Sequence, residues 1–135
     1  MNKRHLVGIA LGLAAATSIG VIILPPPKEA CAAEPKMSFS EDVLPVFRGR
    51  CVSCHQPSGQ GYDKSGLDLT TYEGVMKGTR HGPIVEPGDP DTSNLMWLLD
   101  WRAKPELRMP HGQKKLSTCD RNAIRGWIRQ GAKNN

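Results

Sequence analysis

Apolar residues recur at helical spacing in four short stretches of this chain, separated by polar segments broken with glycine and proline. Phe39, Val43 and Phe47 stand four apart with Leu44 beside them, which places one apolar stripe on a helix. Ser40, Glu41 and Asp42 offer its start, the acids suited to the positive end of the helix dipole. Pro45 falls near the first turn, where a missing N–H costs least, and the helix is expected to run into Cys51. Thr70 with Glu73 forms a capping pair for a second helix that buries Tyr72, Val75 and Met76 and stops at Gly78. A third starts near Asp91 to Ser93 and carries Leu95, Met96, Trp97, Leu98, Leu99 and Trp101. It is apolar on nearly all sides and so reads as interior, with Pro105 ending it at Lys104. The fourth starts at Ser117 with Asp120 as partner, turns Ala123, Ile124, Trp127 and Ile128 inward, and closes at Gly131.

Between these stretches the pattern is irregular. The polar run from Gln56 to Lys64, with Gly59 and Gly61, reads as a surface loop. Pro83 to Pro90 reads as an extended segment ending in the turn Pro87-Gly88-Asp89-Pro90. No strand-period segment longer than a few residues and no internal repeat is visible. The expected fold class is all-α, about four short helices with long connections.

The N-terminus has a different character. Lys3 and Arg4 precede an uncharged run from Leu6 to Leu24, then three prolines and the small-residue stretch Ala30-Cys31-Ala32-Ala33. A basic start, an apolar middle and an A-x-A end make an export signal over residues 1–33, cut after Ala32 or Ala33. The run is also long enough to span a bilayer, so a retained N-terminal anchor is the alternative. Residues 34–135 then form one small domain in the periplasm or an equivalent exported compartment. Removing Lys3, Arg4, Lys28 and Glu29 takes the formal charge from +5 to +3. Basic and acidic residues are mixed and no basic run is interleaved with aromatics, so a nucleic-acid partner is not expected. The basic side chains do thicken toward the end, from Lys114 to Lys133, which offers a weak docking face for an acidic partner.

One stretch names a chemistry. Cys51-Val52-Ser53-Cys54-His55 has the Cys-x-x-Cys-His spacing of covalent haem attachment. The thiols add across the porphyrin vinyl groups, and the next residue presents its imidazole to the iron. These bonds are made outside the cytoplasm, so the export signal and the motif support each other. A zinc site is the rival, but no second Cys-x-x-Cys follows, and Cys119, His81 and His111 would have to complete it irregularly. A thioredoxin-like dithiol would need alternating strands and helices. A covalent macrocycle also supplies apolar volume that so small and loop-rich a domain lacks. Cys119 reads as a small buried apolar residue; a disulfide-linked dimer, or a bridge to Cys31 if the leader is retained, are the alternatives.

A second axial ligand must come from elsewhere. The thioethers are Met37, Met76, Met96 and Met109, and the imidazoles are His81 and His111. Met76 and Met96 sit within apolar helical patterns and read as core filler. Met37 lies too near the processing site to be well held. Met109 lies in Arg108-Met109-Pro110-His111-Gly112, a connection stiffened by its proline, and is preferred, with His111 the chief rival and His81 a weaker one. Arg48, Arg50 and Arg108 flank these segments and are placed either to pair with propionates or to remain solvated.

With these pieces in order, the run from Ser38 to Ala132 resembles a single-haem c-type cytochrome domain, class I-like and of planctomycete type. The matching residues are Phe39 and Asp42-Val43-Leu44-Pro45 before the motif, then Gly66-Leu67-Asp68-Leu69, Pro87-Gly88-Asp89-Pro90-Asp91 with Ser93, Met109-Pro110, and Trp127-Ile128-Arg129-Gln130-Gly131-Ala132. His111 stands where a second proline is usual. The resemblance implies an all-α cytochrome c fold, one haem c held by Cys51 and Cys54, and His55 and Met109 as axial ligands. With both faces of the iron occupied, the expectation is an electron carrier and not an enzyme, passing single electrons between a donor and an acceptor redox protein. The competing expectations are a membrane-anchored haem relay in a larger redox complex, a haem-based sensor with a labile distal ligand, and a zinc-stapled interaction domain.

Overall fold

The structure, a computed structural model, describes residues 35–135. The export signal or anchor read in residues 1–33 lies outside the described residues. Among the described residues the chain is helical without a β-strand, its sole ladder-like contact being the isolated bridge between Thr79 and Gly82. No described helix is long and apolar enough to cross a membrane. The five α-helices are α1 (Leu44–Arg50), α2 (Gln60–Ser65), α3 (Tyr72–Lys77), α4 (Asn94–Leu99) and α5 (Thr118–Arg129). A π-helical turn, Phe39–Val43, leads into α1, and a 3-10 turn, Pro105–Leu107, lies between α4 and α5.

The first helical segment begins two residues earlier than expected. Ser38 caps it, its hydroxyl accepting from the Glu41 amide, and the Asp42 carboxylate accepts from the Ser38 amide at 2.7 Å. Phe39, Val43 and Phe47 are buried, as their spacing predicts. They meet the inner stripe of α5, where Ile124, Trp127 and Ile128 are at most 1 % exposed. Phe39 stacks edge-on against Tyr72 at 5.3 Å between ring centroids and lies 5.4 Å from Trp127. Such aromatic pairs add roughly 0.5–1.5 kcal/mol beyond the area they bury. The chain end closes over this contact: the Asn135 carbonyl accepts from the Ser40 amide at 3.0 Å and from the Ser38 hydroxyl at 2.7 Å. These bonds fix α5 against the first helical segment, and α1 is thereby held at the angle from which the Cys51 turn departs.

α3 and α5 form as the sequence predicts, within a residue. Thr71, not Thr70, caps α3, accepting from the Gly74 amide at 3.0 Å, because Thr70 instead closes a turn onto the Asp68 carboxylate. Ser117 caps α5 through the Asp120 amide. Two expectations are corrected. The polar run from Gln56 to Lys64 is not all loop, since α2 forms there and ends on Gly66 with φ +75°. Its formation follows from packing against the motif, which periodicity does not register. The third helix ends at Leu99, well before Pro105, because Trp101 takes a left-handed backbone conformation with φ +63°. It is also not interior all round, for Trp97 is 46 % exposed with the Arg102 guanidinium 4.4 Å above its ring. The segment after α3 buries Ile84 and Val85, which belong to the same core.

Candidate functional site

Phe47 anchors the start of the motif. Its carbonyl accepts from the amides of Cys51 (2.8 Å) and Val52 (2.9 Å), so the turn grows directly out of the last residues of α1. The Cys51 carbonyl then accepts from Cys54 (3.1 Å) and His55 (3.0 Å), winding both thiols and the imidazole into one turn. Cys51 packs against the apolar core while Cys54 is exposed, and both are free thiols. Burial pushes the Cys51 thiol up to about 11, the neighbouring Cys54 adding to the rise and the Arg50 charge opposing it.

His55 sits deeper. Burial lowers its pKa below the ordinary value, while the Leu67 backbone carbonyl favours the protonated ring without meeting Nδ1 in hydrogen-bonding geometry. Nδ1 is buried and makes no hydrogen bond. A neutral imidazole is the form that binds a metal. Two glycines make room for this turn. A Cβ on Gly59 would stand 2.4 Å from the Cys54 carbonyl oxygen, and one on Gly61 would stand 2.7 Å from His55 Cε1 and 2.9 Å from Nδ1. Only backbone can come this close, and that closeness presses α2 against the ring edge. The Tyr62 amide completes the join by donating to the Cys54 carbonyl at 3.0 Å, and Leu69 N–H donates to the His55 carbonyl at 2.9 Å.

The distal candidates separate by burial. His81 and His111 are exposed, and Met96 is fully buried within α4 as core filler. Met109 is half-buried and packs against the same core that Cys51 touches, as do Met37 and Met76. Met109 is held by its backbone: its amide donates to the Leu98 carbonyl at 3.3 Å, and its carbonyl accepts from the Trp101 indole at 2.9 Å. The Met109–Pro110 peptide bond is cis. Arg50 donates to the Lys114 carbonyl at 3.0 Å and Arg108 to the Ala103 carbonyl at 3.3 Å, so two of the three arginines considered for propionates already serve to tie loops. Cys119 is half-buried and disulfide-bonded, which replaces its reading as a small apolar core residue.

The residues at the turn suit a covalent porphyrin. Two free thiols with two residues between them, one facing the core and one facing out, are followed by a half-buried imidazole whose buried Nδ1 is unsatisfied. Among the described residues no three His, Cys, Asp or Glu side chains converge as a metal-binding cluster, so the zinc arrangement finds no ligand set there. Sequence reasoning missed Gly59, Gly61 and Trp101. The Gly-x-Gly pair just after the motif was the available signal for the first two. Trp101 had none, since it lies within an apolar run that reads as continuous helix.

No curated protein and no solved structure is similar enough to this chain to match it. A family described as Planctomycete cytochrome C does match, over residues 51–111, from the first thiol of the turn to the histidine after Met109-Pro110. The match supports a planctomycete-type cytochrome c domain over these residues, which implies haem c and suggests a haem-binding electron carrier.

Proposed function

We propose that this protein is an exported single-haem c-type cytochrome that carries one electron at a time between a donor and an acceptor redox protein. Cys51 and Cys54 would hold the group through thioether bonds, His55 would take the proximal position and Met109 the distal one. When bound, the haem supplies a ferric/ferrous couple whose potential is raised by a thioether ligand. The observation that carries this reading is the turn at the end of α1, where two free thiols and a half-buried imidazole are wound together and braced by Gly61.

The chain's own residues do the positioning. α1, fixed by Phe47 in the core, sets where the thiols stand. The backbone of α2 limits rotation of the His55 ring, and burial keeps that ring neutral. Leu98 in α4 and Trp101 just beyond it hold Met109 by both backbone groups, and the Met109 side chain packs against the core. Rigid ligands on both sides leave little to rearrange when the charge changes, which favours outer-sphere transfer.

The test is an absorption spectrum of the protein made in cells competent for cytochrome maturation. The expected result is one haem per chain that survives acidified organic solvent, with a weak sulfur-to-iron charge-transfer band in the ferric form. That band should vanish in Met109→Ala and persist in His111→Ala. A band lost in His111→Ala, or kept in Met109→Ala, would assign the distal position elsewhere.

A further inference from the structure

Thioether sulfur is a weak ligand, so its occupancy depends on how firmly the surrounding backbone holds it in place. The backbone around Met109 is held from one direction, by Leu98 in the last turn of α4 and by Trp101 just beyond it. Trp101 adopts φ +63°, a region that a bulky L residue enters only when its surroundings compel it. That turn stops the helix and brings the indole back toward the later loop. Its Nε1–H donates to the Met109 carbonyl at 2.9 Å, while the Met109 amide donates to the Leu98 carbonyl at 3.3 Å. The indole is itself fixed by charge from both sides of Met109 in the sequence. The Arg108 guanidinium lies 5.5 Å and the Lys115 ammonium 5.8 Å from the ring centroid. Arg108 donates to the Ala103 carbonyl at 3.3 Å and Lys115 to the Asp100 carbonyl at 2.6 Å. A strained residue therefore donates a half-buried hydrogen bond to the Met109 backbone from a ring over which two cations lie.

We propose that Trp101 is the positioning residue for Met109, and that its indole N–H sets how easily an outside ligand displaces the thioether. The inference rests on Met109 being the distal ligand. Without the donor, the Met109 carbonyl loses its partner and the loop gains freedom, so the sulfur competes less well with an added ligand.

The experiment titrates the ferric, haem-loaded full chain with imidazole and follows the sulfur-to-iron charge-transfer band. It compares the parent protein with Trp101→Phe, with benzothienylalanine at position 101 (an isostere that lacks the N–H), with Trp97→Phe and with Met109→Ala. Trp101→Phe and the isostere should bind imidazole about tenfold more tightly, equivalent to about 1.4 kcal/mol, the order of one lost hydrogen bond. Trp97→Phe, which alters an exposed indole on α4, should titrate like the parent. Parent-like titration of the Trp101 variants, with the band absent in Met109→Ala, overturns the inference and leaves the ligand assignment standing. An equal change in Trp97→Phe also overturns it, because the effect would then belong to α4 as a whole. A band that survives in Met109→Ala removes the ligand assignment itself. If Trp101→Phe yields no holoprotein, the isostere decides, since it preserves the ring volume.

Discussion

A single hydrogen atom on a glycine decides whether the His55 ring can stand where it does. At Gly61 a methyl group would lie 2.7 Å from His55 Cε1, a separation that side chains do not tolerate. The ring cannot simply move away, because it is packed and the Leu69 amide is bonded to the His55 carbonyl. Gly49, on the exposed side of α1, has nothing within 4 Å of the same added group. The two positions therefore make a matched pair. Gly61→Ala should lower the stability of the holoprotein by about 1–3 kcal/mol through overpacking. Gly49→Ala should raise it by roughly 0.5–1 kcal/mol through helix propensity. Denaturant midpoints followed by far-UV circular dichroism check both. A Gly61→Ala protein as stable as the parent would mean that the α2 backbone does not brace the ring.

At the scale of elements, α4 and α5 are joined by charge where the apolar contact runs out. The Asp100 carboxylate accepts from Arg121 at 2.8 Å and from Arg125 at 2.6 Å, and the Asp100 carbonyl accepts from Lys115. Burial alone would push the Asp100 carboxyl up, but the hydrogen bonds from Arg125 and Arg121, with their charges, outweigh it and hold it below the usual carboxylate range. A carboxyl lowered in the folded state stabilises the fold above its unfolded pKa, and that contribution is lost as pH falls through the folded value. The stability contributed by this joint should thus be intact at neutral pH and fade below about pH 4. Asp100→Asn should cost roughly 2 kcal/mol at pH 7 and flatten the acid limb of the stability profile, which urea unfolding at several pH values would read. An unchanged acid limb would place the acid sensitivity at other carboxylates. None of this was legible in the sequence, because the three side chains are brought together by the chain turning back after Trp101. What was legible lay where local chemistry and core packing agree: the Phe39, Val43, Phe47 stripe, the Ser117 cap and the Ile124, Trp127, Ile128 face. The turn of Cys51, Cys54 and His55 was visible as a motif because these residues fall within five consecutive positions. α2 was not, because a short polar helix pressed against the motif leaves no period to find.

In the whole molecule, the helix packing is uneven. Among the described residues the most extensive contacts between elements join the π-helical turn to α1 and α5, and α4 to α5. α2 and α3 lie outside those pairings and reach the rest mainly through the motif, the Tyr72 hydroxyl on the Ala132 carbonyl, and single core residues such as Val75. A domain of this size has little stability to spare, and local opening starts where buried contacts are fewest. If the attached macrocycle supplies the missing apolar partner for the α2–α3 half, its removal should loosen that half first. The double variant Cys51→Ala/Cys54→Ala, made without covalent haem, should then be cut by a nonspecific protease between Gln56 and Gly82 before any cleavage appears in α5. The holoprotein should resist at both places under the same conditions. Cleavage that begins in α5, or at the same rate throughout, would show that the haem stabilises the domain as one cooperative unit and not chiefly its α2–α3 half. Mass spectrometry of the early fragments distinguishes these outcomes, because the clasp between Ser38, Ser40 and Asn135 holds α5 by bonds that do not involve the motif.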